Sequence, residues 1–255
     1  MSIFTVLTAR YIIIAGLAFL VFYVIYKKKY VLYRIQQQYP TNKDYWREVG
    51  YSLLTTAMFA TIAIILFSPW VMPYTQVYTD LSERSWGYFI FSIILAIFIH
   101  DTYFYWTHRF MHHPKVFKVF HLVHHKSSNP SPWAAFSFHP LEAIVEAGVI
   151  FVIAFAIPIH PYAIISFLIF MTIYNVYGHL GYEIYPPWVG KSPIAKYLNT
   201  SVNHNMHHKY FNQNYGLYFR FWDILMKTTH KRYEATFEEI TGRVKAGASK
   251  IKLNQ

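Results

Sequence analysis

The sequence predicts an all-α integral membrane protein, with four to five membrane helices and a cytoplasmic helical cap carrying a dinuclear metal site. Three observations predict it. Several apolar runs are long enough to cross the roughly 30 Å of hydrocarbon in a bilayer. Only 14% of the 255 residues are charged, against 55% hydrophobic and 20% aromatic, where a soluble domain carries about a quarter charged residues. Histidines also recur at helical spacing in an otherwise apolar chain, in "HRFMH", "HLVHH" and "HNMHH".

The first span is expected near Tyr11–Tyr26. Its run "ARYIIIAGLAFLVFYVIYKKK" is longer than the apolar stretch of a cleaved signal and has no small-residue cleavage site before the lysines, so it is expected to remain as a helix. Further spans are expected near Leu53–Met72 and Trp86–Tyr105. A tight pair follows near Leu141–Ile157 and Tyr162–Tyr177, joined by "PIHP", whose prolines mark a turn. Both members are short, as in a hairpin that enters the membrane only part of the way. The chain is expected to be one domain over 1–255, with a histidine-bearing core at about 95–225 and a polar tail over 226–255 that forms a solvated helix with a frayed end.

Lysine and arginine orient the spans. Lys27, Lys28, Lys29, Arg34, Lys43 and Arg47 crowd the loop after the first span, while the opposite side offers little beyond Arg10 and Arg84. The N-terminus is therefore placed outside, and 27–50, 107–138 and 179–255 in the cytoplasm. Every histidine cluster then falls on one side. The net charge of +11 could serve nucleic acid or an anionic membrane face. With these apolar runs it is a basic cytoplasmic rim, and no nucleic-acid partner is expected. There is no cysteine, so disulfides and thiolate ligands are excluded and any metal is held by nitrogen and oxygen.

His108 and His112 lie four apart and share a helical face, with Asp101 and Tyr105 on that face before them and Pro114 ending the helix. His121, His124 and His125 stand at i, i+3 and i+4. His179 and Glu183 lie four apart, and His204, His207 and His208 repeat the earlier pattern. Imidazole serves zinc, copper, iron and nickel. One ion takes about four to six ligands, so eight or nine histidines are too many for one and suit two. The adjacent pairs His124/His125 and His207/His208 are each expected to split between the two ions. Softness leaves iron, zinc and copper open. A zinc hydrolase would need an open position and a carboxylate base, which Glu183 or Asp101 could supply. An aromatic, carboxylate-poor pocket facing the membrane suits O2 activation on a lipid better. Metal transport is disfavoured, because the middles of the spans carry no ligand residues.

As a set, "HDTYFYWTHRFMH", "HLVHH", "AFSFHPLEA", "GHLGYE" and "NHNMHH" resemble the fatty acid hydroxylase / sterol desaturase superfamily of integral-membrane di-iron enzymes. The resemblance implies an O2-dependent oxidoreductase that hydroxylates, or in some members dehydrogenates, an unactivated C–H bond of a lipid. It implies two iron ions, replaceable by zinc in purified protein, held by His108, His112, His121, His124, His125, His179, His204, His207 and His208. The fatty acid 2-hydroxylase branch has a histidine where this chain has Glu183, which follows the sterol-type branch. Glu183 could therefore ligate, bridge through water, or accept a hydrogen bond from a ligand. His139, before Pro140, is expected to support the site rather than ligate. Asp101 is expected to orient a ligand imidazole. His100, His113, His160 and His230 are expected to be surface, interface or turn residues. No cytochrome b5-like or flavin domain fits this length, so electrons are expected from a separate protein, cytochrome b5-like or a ferredoxin with its reductase. The basic face around Lys115, Lys118, Lys126 and Lys209 would receive an acidic carrier. The aromatics Tyr103, Phe104, Tyr105 and Trp106 precede the first ligands. They suggest an apolar channel that opens to the bilayer and ends at the metals.

Overall fold

The computed structural model describes residues 2–253, with side chains described as far as Arg243. All its regular elements are helical. Four helices are long and apolar enough to cross a membrane: Ile3–Ile25, Asn42–Leu66, Trp86–Met111 and Pro161–Gly178. The chain is an integral membrane protein.

The first span is α1 (Ile3–Phe19) continued by a π-helical segment, Leu20–Ile25. It starts earlier than expected, because Ser2 caps it by accepting from the Thr5 N–H. Helix α2 (Asn42–Leu66) opens on a Thr41/Asp44 capping box, which places its start well before the apolar run. It ends at Leu66, six residues short of the expected limit, and 67–85 form turns at the end of the bundle away from the histidines. Helix α3 (Trp86–Met111) has 26 residues, so it rises about 39 Å. That exceeds the bilayer core by about two turns; these carry His108, and His112 caps the helix end.

Short helices α4 (Pro114–Phe120) and α5 (Leu122–His125) follow. Residues 130–138 then pack between α1, α2 and α7 as a buried wedge. Its backbone is satisfied there: the Trp133 carbonyl accepts from Tyr11 and Ser52, and the Ala135 carbonyl from Asn175. Such irregular backbone is tolerated at membrane depth only where protein surrounds it.

Helices α6 (Pro140–Ala156) and α7 (Pro161–Gly178) form the hairpin. It does not stop part-way. Its turn reaches the α2–α3 loop, where Gln76 donates its N–H to the Ala154 carbonyl (2.8 Å) and Tyr88 its hydroxyl to Pro158 (2.9 Å).

The histidine-bearing end is closed by α8 (Trp188–Lys191), α9 (Ser201–Tyr210), α10 (Phe221–Leu225) and α11 (Tyr233–Leu253). The tail helix is not simply solvated. Tyr233, Phe237 and Ile240 recur at i, i+4 and i+7 and pack on Val189, Val202 and Met206, so α11 roofs α9. The last residues of the tail, where a frayed end was expected, lie outside the described residues. Arg34 also departs from the basic rim: it is buried, its guanidinium 3.5 Å from the Tyr39 ring centre and 5.2 Å from that of Tyr182. It fastens the first loop to the segment after α7.

Candidate metal centre

The structure brings all nine predicted histidines together at one end of the bundle, in two groups. His108, His112, His121, His125 and His207 form one; His124, His179, His204 and His208 form the other. Within each group the candidate ligand atoms lie within 4.8 Å of one another, and every member is buried. The adjacent pairs separate: the His124 and His125 ring centres are 5.8 Å apart, as are those of His207 and His208. Neighbouring helical positions differ by about 100°, so each pair reaches into both groups.

The Nε2 atoms converge. His108 meets His121 at 3.0 Å, and His125 meets His112 at 3.1 Å and His207 at 3.0 Å. In the second group, His179 lies 3.2, 3.0 and 3.1 Å from His124, His204 and His208. Carbonyl oxygens only accept. The Nδ1 of His108 therefore donates to Tyr215, that of His179 to Asn175, and that of His207 to Gln213. This fixes the proton on Nδ1 and leaves Nε2 as a bare lone pair. Burial, reinforced by neighbouring imidazoles, holds His121, His124, His125, His204 and His208 well below the usual histidine range. Burial pushes His179 down to about 4. The rings are thus neutral near pH 7, and each offers a ring nitrogen able to bind a cation.

The spacing suits a metal. With metal–imidazole bonds of about 2.0–2.1 Å, ligand nitrogens lie about 2.9 Å apart at a right angle and about 3.3 Å at a tetrahedral angle. The observed approaches of 3.0–3.2 Å fall between. Five donors in one group exceed the four of a structural zinc site.

The expected supporting residues lie outside both groups. Asp101 accepts from the Tyr218 and Phe219 N–H groups (2.8 and 3.1 Å). It orients no imidazole directly; it holds the loop whose Tyr215 carbonyl holds His108. Glu183 accepts from the Tyr177 hydroxyl and the Tyr185 and Val202 N–H groups, tying the start of α9 to the end of α7. Between them Gly181, at φ +73°, turns the chain where a Cβ would meet the Tyr23 hydroxyl at 2.6 Å. His139 caps α6, its Nδ1 accepting from the Leu141 N–H at 3.3 Å. His113 and His160, also before prolines, cap α4 and α7 in the same way. His100 is bonded to the Tyr218 hydroxyl and His230 stacks on Tyr210.

The sequence reading missed Glu142. It took the histidine of "FHPLE", whereas it is the glutamate that meets a clustered ring, with Oε1 2.5 Å from the Nδ1 of His121. The available signal was a pair of carboxylates, Glu142 and Glu146, in an apolar helix.

An apolar cavity of about 90 Å3 lies between α1, α2, α3, α6 and α7, with Phe59, Phe136, Val149, Phe167 and Met171 among its walls. Ile62, Ile150 and Leu168, among its lining residues, are half-buried and lie on helices of the apolar bundle. Phe104, Phe138, Glu146 and Asn175 line both this cavity and a small pocket bounded by His108, His121, His124, His179 and His204.

With this geometry in place, comparison with known proteins is decisive for the family. The model of the fatty acid hydroxylase family matches residues 93–228. The chain belongs to the fatty acid hydroxylase family. Its curated relatives in this superfamily include a Delta(7)-sterol 5(6)-desaturase of Gibberella zeae, 29% identical over 177 residues that cover 69% of this chain and 53% of the relative. Lathosterol oxidase of Homo sapiens is 30% identical over 179 residues, 69% of this chain and 58% of that one. A Delta(7)-sterol 5(6)-desaturase of Leptosphaeria maculans is 33% identical over 183 residues, 69% and 49%. The chain spans about half the length of these relatives. No solved structure gives a significant match.

Proposed function

We propose that this member of the fatty acid hydroxylase family oxidises an unactivated C–H bond of a membrane lipid, using O2 and two iron ions held by the nine histidines. The observation that carries this reading is the juxtaposition of two buried all-imidazole groups with an apolar cavity among membrane helices. When bound, reduced iron would supply the O2 activation that breaking such a bond requires. The residues of the chain do the rest. The Tyr215, Asn175 and Gln213 carbonyls keep three Nε2 lone pairs aimed inward. Phe104 and Phe138 narrow the passage and exclude water. A lipid tail entering from hydrocarbon keeps about 0.8 kcal/mol per methylene that a route through water would forfeit.

The histidine-bearing end faces the cytoplasm in this reading, on the strength of Lys27, Lys28 and Lys29 beside it. Electrons arrive from a separate protein. Insertion of oxygen is the primary reading. Dehydrogenation is the second, favoured by the names of the relatives, since both reactions begin by removing the same hydrogen. In a zinc hydrolase, the alternative in a different class, Asp101 and Glu183 would not serve as the base, since backbone and hydroxyl donors occupy them away from the groups; Glu142 and Glu146 are the carboxylates at the histidines.

Expression in a host lacking the gene, followed by lipid mass spectrometry and metal analysis, tests this. Gain of one oxygen marks a hydroxylase and loss of two hydrogens a desaturase. Stoichiometric zinc with hydrolysed lipid and no redox product would overturn both.

A further inference from the structure

Glu142 and Glu146 stand four apart on one face of α6. Glu142 is accounted for by His121. Glu146 is only 8% exposed, yet among the described residues neither a hydrogen bond nor an ion pair reaches its carboxyl. Ion pairs there join Arg47 to Asp44, His121 to Glu142 and Arg243 to Glu239. Arg10 of α1 also lines the cavity, and among the described residues no ion pair joins it to Glu146. A carboxyl inside a membrane helix is costly unless something answers it, and such residues face a functional cavity.

Its position says what would answer it. Glu146 is one of four residues common to the apolar cavity and the histidine pocket. Of the others, two are phenylalanines, and Asn175 gives an amide N–H to the Ala135 carbonyl. The carboxyl therefore sits in the throat, beside the point where a substrate carbon would meet the metals. Close packing keeps α6 in place: the Tyr103 hydroxyl donates to the Val145 carbonyl at 2.7 Å, and a Cβ at Gly148 would lie 2.6 Å from that hydroxyl.

We propose that Glu146 is a specificity-determining residue that receives a hydroxyl of the lipid, so that the site takes lipid alcohols whose hydroxyl lies a few bonds from the oxidised carbon. This rests on the oxygenase reading of the histidine groups. A hydroxyl suits a carboxyl in either protonation state, because it both donates and accepts. With Glu146 ionised, a second carboxylate placed in the throat would be repelled in a medium of low dielectric. An ammonium would have to shed its water to enter between two phenylalanine rings.

The test is retention of lipids by the full-length, iron-loaded protein in detergent, read by native mass spectrometry. The probes are an equimolar mixture of hexadecane, hexadecanol, palmitic acid and hexadecylamine, and separately lathosterol against cholest-7-ene, which lacks the hydroxyl. Wild type is expected to retain at least one alcohol over its hydroxyl-free counterpart by about tenfold or more, the scale of one buried hydrogen bond. Glu146→Leu is expected to abolish that preference and Glu146→Gln, whose amide oxygen still accepts, to keep part of it, with iron content unchanged in both. If Glu146→Leu does not fold, Glu146→Ala takes its place. Equal retention by wild type, a preference that survives Glu146→Leu, or preferred capture of the acid or the amine overturns the proposal. Failure of the oxygenase reading shows elsewhere, as absent iron or unoxidised lipid, whatever the retention ratios are.

Discussion

The two histidine groups are built to different standards. In the group of five, three rings are fastened from behind: His108 by the Tyr215 carbonyl, His121 by Glu142 and His207 by the Gln213 carbonyl. In the group of four, only His179 is fastened in this way, by Asn175; the Nδ1 atoms of His124 and His208, like that of His125 in the group of five, have no partner among the described residues. His179 is also the hub of its group, within 3.2 Å of each of the other three Nε2 atoms. One group thus has a donor to spare and independent anchors, and the other depends on a single ring. Redundancy of this kind predicts unequal metal affinity, with the group of four the more easily emptied.

The largest expected effect follows from that inequality. His179→Ala leaves three donors and removes the hub. Iron should fall from about two to about one per chain, and lipid oxidation by more than about 100-fold, since changes behind a ligand alone cost about 10–100-fold. His112→Ala leaves four donors, a sufficient set for one ion, and should retain most of its iron while losing less activity. Metal analysis of the two purified variants decides it. Equal losses would show that the groups are equivalent and the comparison wrong.

Next in size are the residues behind the rings. Glu142→Ala removes the acceptor of His121 and should cost about 10–100-fold in metal affinity or turnover, measured as faster iron loss to a chelator. Asp101→Ala acts one step further away. It strips the Tyr218 and Phe219 amides of their acceptor, at about 1–3 kcal/mol for a buried donor left unpaired. Its main signature should be lower thermal stability, with a turnover loss smaller than that of Glu142→Ala. If Asp101→Ala costs more turnover than Glu142→Ala at equal iron content, Asp101 acts on the chemistry more directly than through the loop.

How much of this was legible in the sequence follows from range. The spacing of His121, His124 and His125 is local, so helical geometry alone anticipated that neighbours would diverge. Apolar runs gave the spans. Their starts were misplaced where a capping residue, Ser2 or Thr41, lies outside the apolar stretch. The anchors were not legible, because the Tyr215, Gln213 and Asn175 acceptors are backbone carbonyls that every residue type carries. Nor was the burial of 130–138: it depends on Tyr11, Ser52 and Asn175, which come from three other helices. Asp101 and Glu183 looked like members of the site because carboxylates near histidines usually are. The fold spends them on N–H groups of the segments that bring those histidines in.

The smallest expected effect concerns where electrons enter. Lys115 and Lys118 lie on α4 between His112 and His121, and Lys126 follows His125; all three are exposed, as is Lys209 after His208. Three of these four lysines border the well-anchored group. Behind them the rings of Phe117 and Phe211 stand 5.5 and 4.8 Å from that of His125. That places the basic face over the group of five, the half of the centre least disturbed by a docking partner. Replacing Lys115, Lys118 and Lys126 by glutamate should slow turnover with an acidic protein donor a few-fold at low salt. The effect should fade as ionic strength rises, because exposed charges act mainly on encounter and are screened within about 10 Å at 0.1 M. Turnover driven by a small chemical reductant should not change. A variant slowed equally with both reductants would mean that these lysines serve the structure of the cap. A variant slowed with neither would leave them only their part in orienting the chain in the membrane.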